Sequence, residues 1–279
     1  MQHDRSLSTA IPQKECTPAK PTWKEKLFGV FAAVEMGADR TRVFIKGHGL
    51  AADEASAVFR ERKPNGHRGK VLAVGDEALR LGKCVRPAAR GWVSDPDAAV
   101  ALLRGVLEKS GALAGFRRPQ MLLAWSRCGG ADEPKAWKEV AVQTGARSVY
   151  MIESPMAAMV GTGENVEDEE TRMVLHAEQD AAEAALVRQA GFVRAETLPA
   201  WHGGDRIGAL AELAERCAQG VPSEHRASLA RHGVWLTGGE AFLPGLRDAI
   251  AARTGLPVRV SNNPEIAVIR GMARILDEL

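Results

Sequence analysis

Chemistry in this chain has to be sought among a few side chains of suitable type. Cys16, Cys84, Cys128 and Cys217 are widely spaced, with no C-x-x-C pair and no histidine at metal-ligand spacing. That arrangement reads as reduced thiols in a cytosolic protein, not as a zinc site or a disulfide framework, and no metal is expected. A second group is more concentrated. His176-Ala177-Glu178-Gln179-Asp180-Ala181-Ala182-Glu183 places an imidazole and three acids in one short stretch. Its polar groups could line a pocket for a small ligand or peptide, although the spacing specifies none. Glu133, followed by Pro134, suits the first turn of a helix, where an acid favours the positive end of the backbone dipole. Gly238-Gly239 falls at a strand-to-helix turn, a place that favours glycine.

The elements that must position these residues belong to a chain of 279 residues, enough for one large domain or two of ordinary size. Hydrophobic residues make up 45% and charged residues 26%, a globular composition. The net charge of +2 is small, and Lys and Arg are spread among acids instead of forming a stripe, so no nucleic-acid partner is expected. No apolar run approaches the ~20 residues that span a bilayer. The first twenty residues contain no apolar core segment, so no signal peptide is expected.

Residues 1–22 contain three prolines, scattered charges and no apolar period, and read as a disordered tail. Residues 23–31 follow. Trp23, Leu27, Val30 and Phe31 lie at helical spacing, with Phe28 among them and Lys24 and Lys26 beside them. This is a candidate amphipathic membrane-interface segment; the competing reading is that Phe28–Val34 begins the first core strand. From there the pattern is mixed α/β. FAAVEMG and RVFIKG flank a turn and read as paired strands. SAVFRE and VLAVGDEAL continue the β pattern around an Asn65-Gly66 turn. Asp97–Lys109 has helical periodicity, with Asp97 at its start. Met121–Trp125 predicts a strand, Asp132–Thr144 a helix, SVYMIES a strand and PMAAMVGTG a helix. The second half repeats this order: strands in RMVLHAEQ, EAALVRQ and RAETLPA, a helix from Asp205 to Ala218, a strand in GVWLTGG, a helix in FLPGLRDAIAART, a strand in LPVRV and a closing helix over Ile266–Leu279. The repeat suggests a duplicated α/β unit.

Several segments now carry a resemblance: VFIKGHGL at 43–50, KVLAVGDEA at 70–78, VRP and GWVSD within 85–95, TGARSVYMIESPMAAMVGTG at 144–163, GGDR at 203–206 and GVWLTGGEAFLPGLRDAIAARTGLPV at 233–258. Their shared order over residues 27–279 resembles the MreB family of bacterial actin-like, rod-shape-determining proteins. The resemblance implies the actin/RNase H-like ATPase fold, two α/β domains around a nucleotide cleft. Domain I would cover 32–153, with the closing helix 264–279 returning to it, and a truncated domain II would cover 154–263. It also implies ATP and Mg²⁺ as ligands, held by one β-hairpin turn in each domain. Glycines in such turns let backbone N–H groups approach phosphate oxygens, and a nearby carboxylate holds Mg²⁺ through water.

The residues depart from that pattern. The first turn of the family reads approximately D-L-G-T-A-N; here it is Glu35-Met36-Gly37-Ala38-Asp39-Arg40. The acid and the glycine remain, and the hydroxyl and amide are lost. The second reads D-I-G-G-G-T-T-E; here it is the stretch His176–Glu183, with no glycine, no threonine and no leading Asp. The retained site positions implied by the resemblance are Glu35, Gly37, Gly238 and Gly239 for the nucleotide and Glu133 for the attacking water, while His176, Glu178, Gln179, Asp180 and Glu183 form a degenerate phosphate turn. Arg206 and Val234 are separated by only 27 residues, room for one helix and a loop, so the subdomain called IIB is expected to be deleted. The function implied is a nucleotide-independent scaffold or filament partner, a pseudo-ATPase of the cytoplasm or the inner membrane face. The alternative is a divergent active ATPase that forms actin-like filaments.

Overall fold

The computed structural model describes residues 30–62, 68–113, 118–199 and 204–279. The 1–22 tail, most of the 23–31 segment, including Trp23, Leu27 and Phe28, and the Asn65-Gly66 turn lie outside them. The first half opens with an antiparallel meander, β1 (Phe31–Met36), β2 (Arg40–Ile45) and β3 (Gly49–Ala55). A ribbon of β4 (Val58–Arg62) and β5 (Arg68–Val74) leads to helix α1 (Asp76–Leu81). The short pair β6 (Ala88–Ala89) and β7 (Trp92–Val93) precedes α2 (Pro96–Lys109). Then come β8 (Gln120–Trp125), α3 (Glu133–Thr144), β9 (Ser148–Glu153) and α4 (Ser154–Thr162). The strands order as β3-β2-β1-β8-β9, with β8 and β9 parallel to β1.

The second half builds the same sheet again. β10 (Arg172–Ala177), β11 (Ala182–Arg188) and β12 (Gly191–Leu198) form the meander, followed by α5 (Arg206–Gln219) and α6 (Arg226–His232). β13 (Val234–Thr237), α7 (Leu246–Thr254), β14 (Val258–Val260) and α8 (Ala267–Glu278) complete the chain. The order is β12-β11-β10-β13-β14.

Alternation along the central strands assigns each face a partner. In β1, Ala32, Val34 and Met36 pack with Leu102, Leu103 and Leu107 of α2, whereas Ala33 faces the other way. In the second sheet, Met173 and Leu175 pack with Leu210 and Leu213 of α5. The remaining faces meet a shared layer made by α4 and α8: Met159, Val268, Ile269 and Met272 contact Ala33 and Phe44 of one sheet and Val174, Ala185 and Val187 of the other. Small residues on the strands leave space for helices there. Phe31, part of the candidate membrane segment, is the first residue of β1 and packs against this layer, so it belongs to a core strand.

Several expected boundaries are corrected. Asp95, not Asp97, caps α2, accepting the Ala98 N–H at 3.0 Å, because Pro96 takes the first helical position. The β pattern in VLAVGDEAL stops at Val74: Gly75 turns with φ 74° and Asp76 starts α1. FLPGLRDAIAART becomes a 3₁₀ turn over Gly239–Phe242 and a helix only from Leu246, with Pro244 and Gly245 between. The stretch after Arg206 holds two helices, not one helix and a loop.

The crossing of α4 and α8 is close because both helices present glycine to it. A Cβ on Gly271 would collide with the Ala157 carbonyl, and one on Gly161 with the Ala267 carbonyl. Backbone cannot rotate aside as a side chain can. Gly271→Ala is therefore expected to lower stability by about 1–2 kcal/mol despite the better helix propensity of alanine. Gly204→Ala, at an open position, is the neutral control. Urea denaturation of both variants checks this; equal midpoints would contradict it.

Candidate functional site

The tips of the two meanders face each other across a cleft enclosing about 270 Å³, just below the ~300–1,000 Å³ usual for small-molecule pockets. On the first tip the Gly37 N–H donates to Arg40 O at 2.9 Å and closes the turn. The Arg40 side chain turns away to Asp53 (2.8 Å) and Asp76 (3.0 Å). Arg42, opposite Glu35 in the β1–β2 register, lies buried against it at 3.4 Å and reaches Asp53 at the same distance. On the second tip the Glu178 N–H donates to Ala181 O at 2.9 Å, with Gln179 and Asp180 at the turn.

The acids of the second tip are turned toward backbone donors. Asp180 Oδ2 accepts the Arg90 N–H at 2.5 Å. Glu183 Oε1 accepts the Arg127 N–H at 2.7 Å. Both bonds run from the second sheet to loops of the first half, as does the contact of Cys128 Sγ with Ala182 O at 3.3 Å. Glu178 lies 3.4 Å from the Gly239 N–H and 3.5 Å from His176 Nε2, and His176 Nδ1 is 3.1 Å from Thr237 Oγ1.

Burial sets the protonation of these groups. Enclosure pushes Glu183 up to about 7, only partly countered by the Arg127 N–H. Enclosure, then the charge of Glu35, pushes Glu178 up to about 8. Its side chain keeps 38% of its surface open to the cleft, so water tempers that rise and Glu183 is the firmer titration point. Glu35 is also raised by burial, with Arg42 opposing. Burial, then Arg42, lowers His176 to about 4, so the imidazole is neutral. Enclosure, then the Glu183 carboxylate, pushes Cys128 up to about 12, an unreactive thiol.

Of the residues singled out by sequence, Glu35, Gly37, His176, Glu178, Gln179, Asp180, Glu183 and Gly239 are brought together on the cleft wall. Glu133 is not on that wall: its Oε2 accepts the Val93 N–H at 3.1 Å and anchors the β6–β7 pair to α3. Gly238 serves the turn itself. Its φ is 90°, its N–H donates to Pro264 O at 2.8 Å, and a side chain there would strike the Ala177 backbone. Glu240 is gripped through both oxygens by Arg206, at 2.9 and 3.0 Å. Three contributors were not singled out. Arg42 was findable by counting the hairpin register from Gly37; Arg90 and Arg127 act here through main-chain N–H groups, which leave no mark in sequence.

Among known proteins, the MreB/Mbl protein family matches residues 30–210 and 204–279. The cell shape-determining protein Mbl of Bacillus subtilis (strain 168) is 23% identical over 328 residues, covering 91% of this chain and 97% of the relative. Those 328 positions exceed the 279 residues here, so the relative carries residues without a counterpart. Residues 204–210 match the family twice, ending one stretch and beginning the next. MreB 5 of Spiroplasma citri bound to AMPPNP superposes with a TM-score of 0.78 at 16% identity, covering 90% of this chain and 96% of that one. A MamK double helical filament gives 0.69 at 14%, covering 90% and 99%. These structural likenesses show the actin-like ATPase fold.

The titrations have a measurable consequence. Glu183 and Glu178 hold their protons above the usual 4.5, so from there to pH 7–8 the folded state binds more protons than the unfolded one, and stability falls as pH rises. His176, lowered from 6.5 to about 4, acts oppositely between those values: the unfolded state binds the proton and stability rises with pH. Above pH 6.5 only the carboxyl effect remains. The melting temperature is expected to decline from pH 6.5 to 8, and Glu178→Gln with Glu183→Gln, which keep an acceptor oxygen, should flatten that decline. An unchanged slope in the double variant would contradict the assignment.

Proposed function

This chain belongs to the MreB/Mbl family, and from that premise we propose that it is a nucleotide-independent actin-like protein of cell-shape or cytoskeletal organisation, a scaffold or filament partner in the cytoplasm. The observation that carries this reading is the occupation of cleft donors by the protein's own acids. Asp180 faces the Arg90 N–H, Glu183 the Arg127 N–H and Glu178 the Gly239 N–H. The donor set does not fit a triphosphate. A like-charge contact near 4 Å costs about 1 kcal/mol in water and about 4 kcal/mol at an effective dielectric of 20. At ~1.4 kcal/mol per tenfold in affinity, each contact with an ionised acid removes about one to three decades, and a protonated Glu178 or Glu183 still covers the N–H that a phosphate oxygen would need. Among the described residues of the cleft wall, Arg42 is the buried cation that faces these acids, and it is engaged by Glu35 and Asp53.

Two further features support the reading. The Asp180 and Glu183 bonds join the halves directly, a task that a bound nucleotide would otherwise share. The double match of residues 204–210, together with the excess length of the relative, supports loss of the subdomain IIB segment at α5, with α5 and α6 spanning the stretch to β13. The cytoskeletal assignment rests on the names of the relatives, one a cell shape-determining protein, and on the filament among the structural neighbours.

Calorimetric titration with ATP and Mg²⁺ tests nucleotide independence. No binding is expected up to millimolar nucleotide, and micromolar binding would restore the active-ATPase reading. Co-sedimentation with filaments of a bacterial actin is expected with and without ATP alike. A complete failure to pellet with them would remove the filament-partner role.

A further inference from the structure

The outer edge of the second sheet carries features that the cleft does not use. β14 ends the strand order and, among the described residues, has no partner on its outer side. Trp235 of β13 and Arg259 of β14 are register neighbours, and the Arg259 guanidinium lies over the indole, 5.7 Å from its centroid. The indole Nε1–H is shut off from solvent and finds no acceptor among the described residues. A buried donor of this kind is rare and calls for an acceptor. Beside it opens a cavity of about 420 Å³ whose wall also includes Arg247 of α7 and Thr162 at the end of α4. Neither Arg247 nor Arg259 has a carboxylate partner among the described residues. Arg270 of α8 adds positive charge nearby, spending its donors on the carbonyls of Gly161 and Asn262 and on Ser261 Oγ. Elsewhere on this chain exposed arginines such as Arg127, Arg216 and Arg253 are matched by acids.

We propose that this groove is a docking site for an extended acidic segment of a partner polypeptide. A free strand edge offers main-chain hydrogen bonds to an added strand, the mode in which backbone pairing gives affinity and side-chain pockets give specificity. Arg247 and Arg259 select carboxylates, guanidinium being suited to two-point recognition of that group. The Trp235 indole supplies a ring for apolar contact beside the strand edge. Charge complementarity fixes the partner chemistry: a segment alternating acidic with β-branched residues satisfies the arginines and the Trp235 ring together.

The test follows the indole N–H resonance of Trp235 in the ¹⁵N-labelled full chain, assigned through its loss in Trp235→Phe. A synthetic peptide alternating Glu and Val is expected to shift that resonance to saturation, and the matching Lys–Val peptide to leave it in place. Arg247→Glu with Arg259→Glu, both at exposed positions, is expected to weaken the Glu–Val peptide at least about tenfold, with an unchanged circular dichroism spectrum showing that the fold persists. Equal response to the two peptides, no response to either, or full affinity in the charge-reversed variant would overturn the proposal. So would saturation of the same shift by inorganic phosphate alone at the peptide's concentration, which would mark a small-anion site instead.

Discussion

Two backbone N–H groups, those of Arg90 and Arg127, point across the cleft at carboxylates of the opposite half. Much else in the cleft follows from where these bonds lie. A carboxylate that accepts from a fixed backbone donor is both held in place and kept from swinging outward, so the acidic tip of β10–β11 stays turned inward. Glu183 is buried there, which lifts its proton affinity against the opposing Arg127 N–H, and burial, then the Glu183 charge, raises the neighbouring Cys128 thiol. Glu178 is drawn into the same field and settles between His176 and Gly239. The cleft thus fills its own N–H donors with carboxyl groups, and a diffusible anion would have to displace them.

The fold explains why such a cleft remains aligned. Two copies of one sheet pattern share a single helical layer, and α4 crosses α8 at a distance that only glycine allows at Gly161 and Gly271. Buried contact between the halves is therefore supplied by this helical layer, with Met159, Ile269 and Met272 against both sheets. The tips need only align donors with acceptors over a few ångströms. On the proposed reading, this division lets the protein dispense with a ligand at the tips and with a covering subdomain, since α5 packs its own apolar face on the sheet without one.

The fold was largely legible because its strands and helices keep strict apolar periods. β1, β2 and β10–β13 announce themselves by short apolar runs, and α5 by Asp205 at its start. β3 did not, because GLAADEA alternates weakly and places two acids in a strand whose partner is polar at the same register. The start of α2 was misread by two residues since Asp95 and Asp97 flank the proline and only the cap geometry separates them. In the site, the acidic tip could be named from sequence because its side chains differ from those expected at a phosphate turn. What they touch could not. Glu133 was placed by its family position yet spends its carboxylate on Val93, and the donors to Asp180 and Glu183 are peptide groups that any residue would supply. Direction of a side chain, and main-chain donors, are fixed by tertiary packing and not by local pattern.

The central claim, that the halves are joined by the protein's own carboxylates without a nucleotide, is tested most directly by amide hydrogen exchange at Arg90 and Arg127. Both amides are expected to be protected in nucleotide-free protein and to exchange at the same rate after ATP and Mg²⁺ are added. Rapid exchange in the free protein, slowed by ATP and Mg²⁺, would contradict the account.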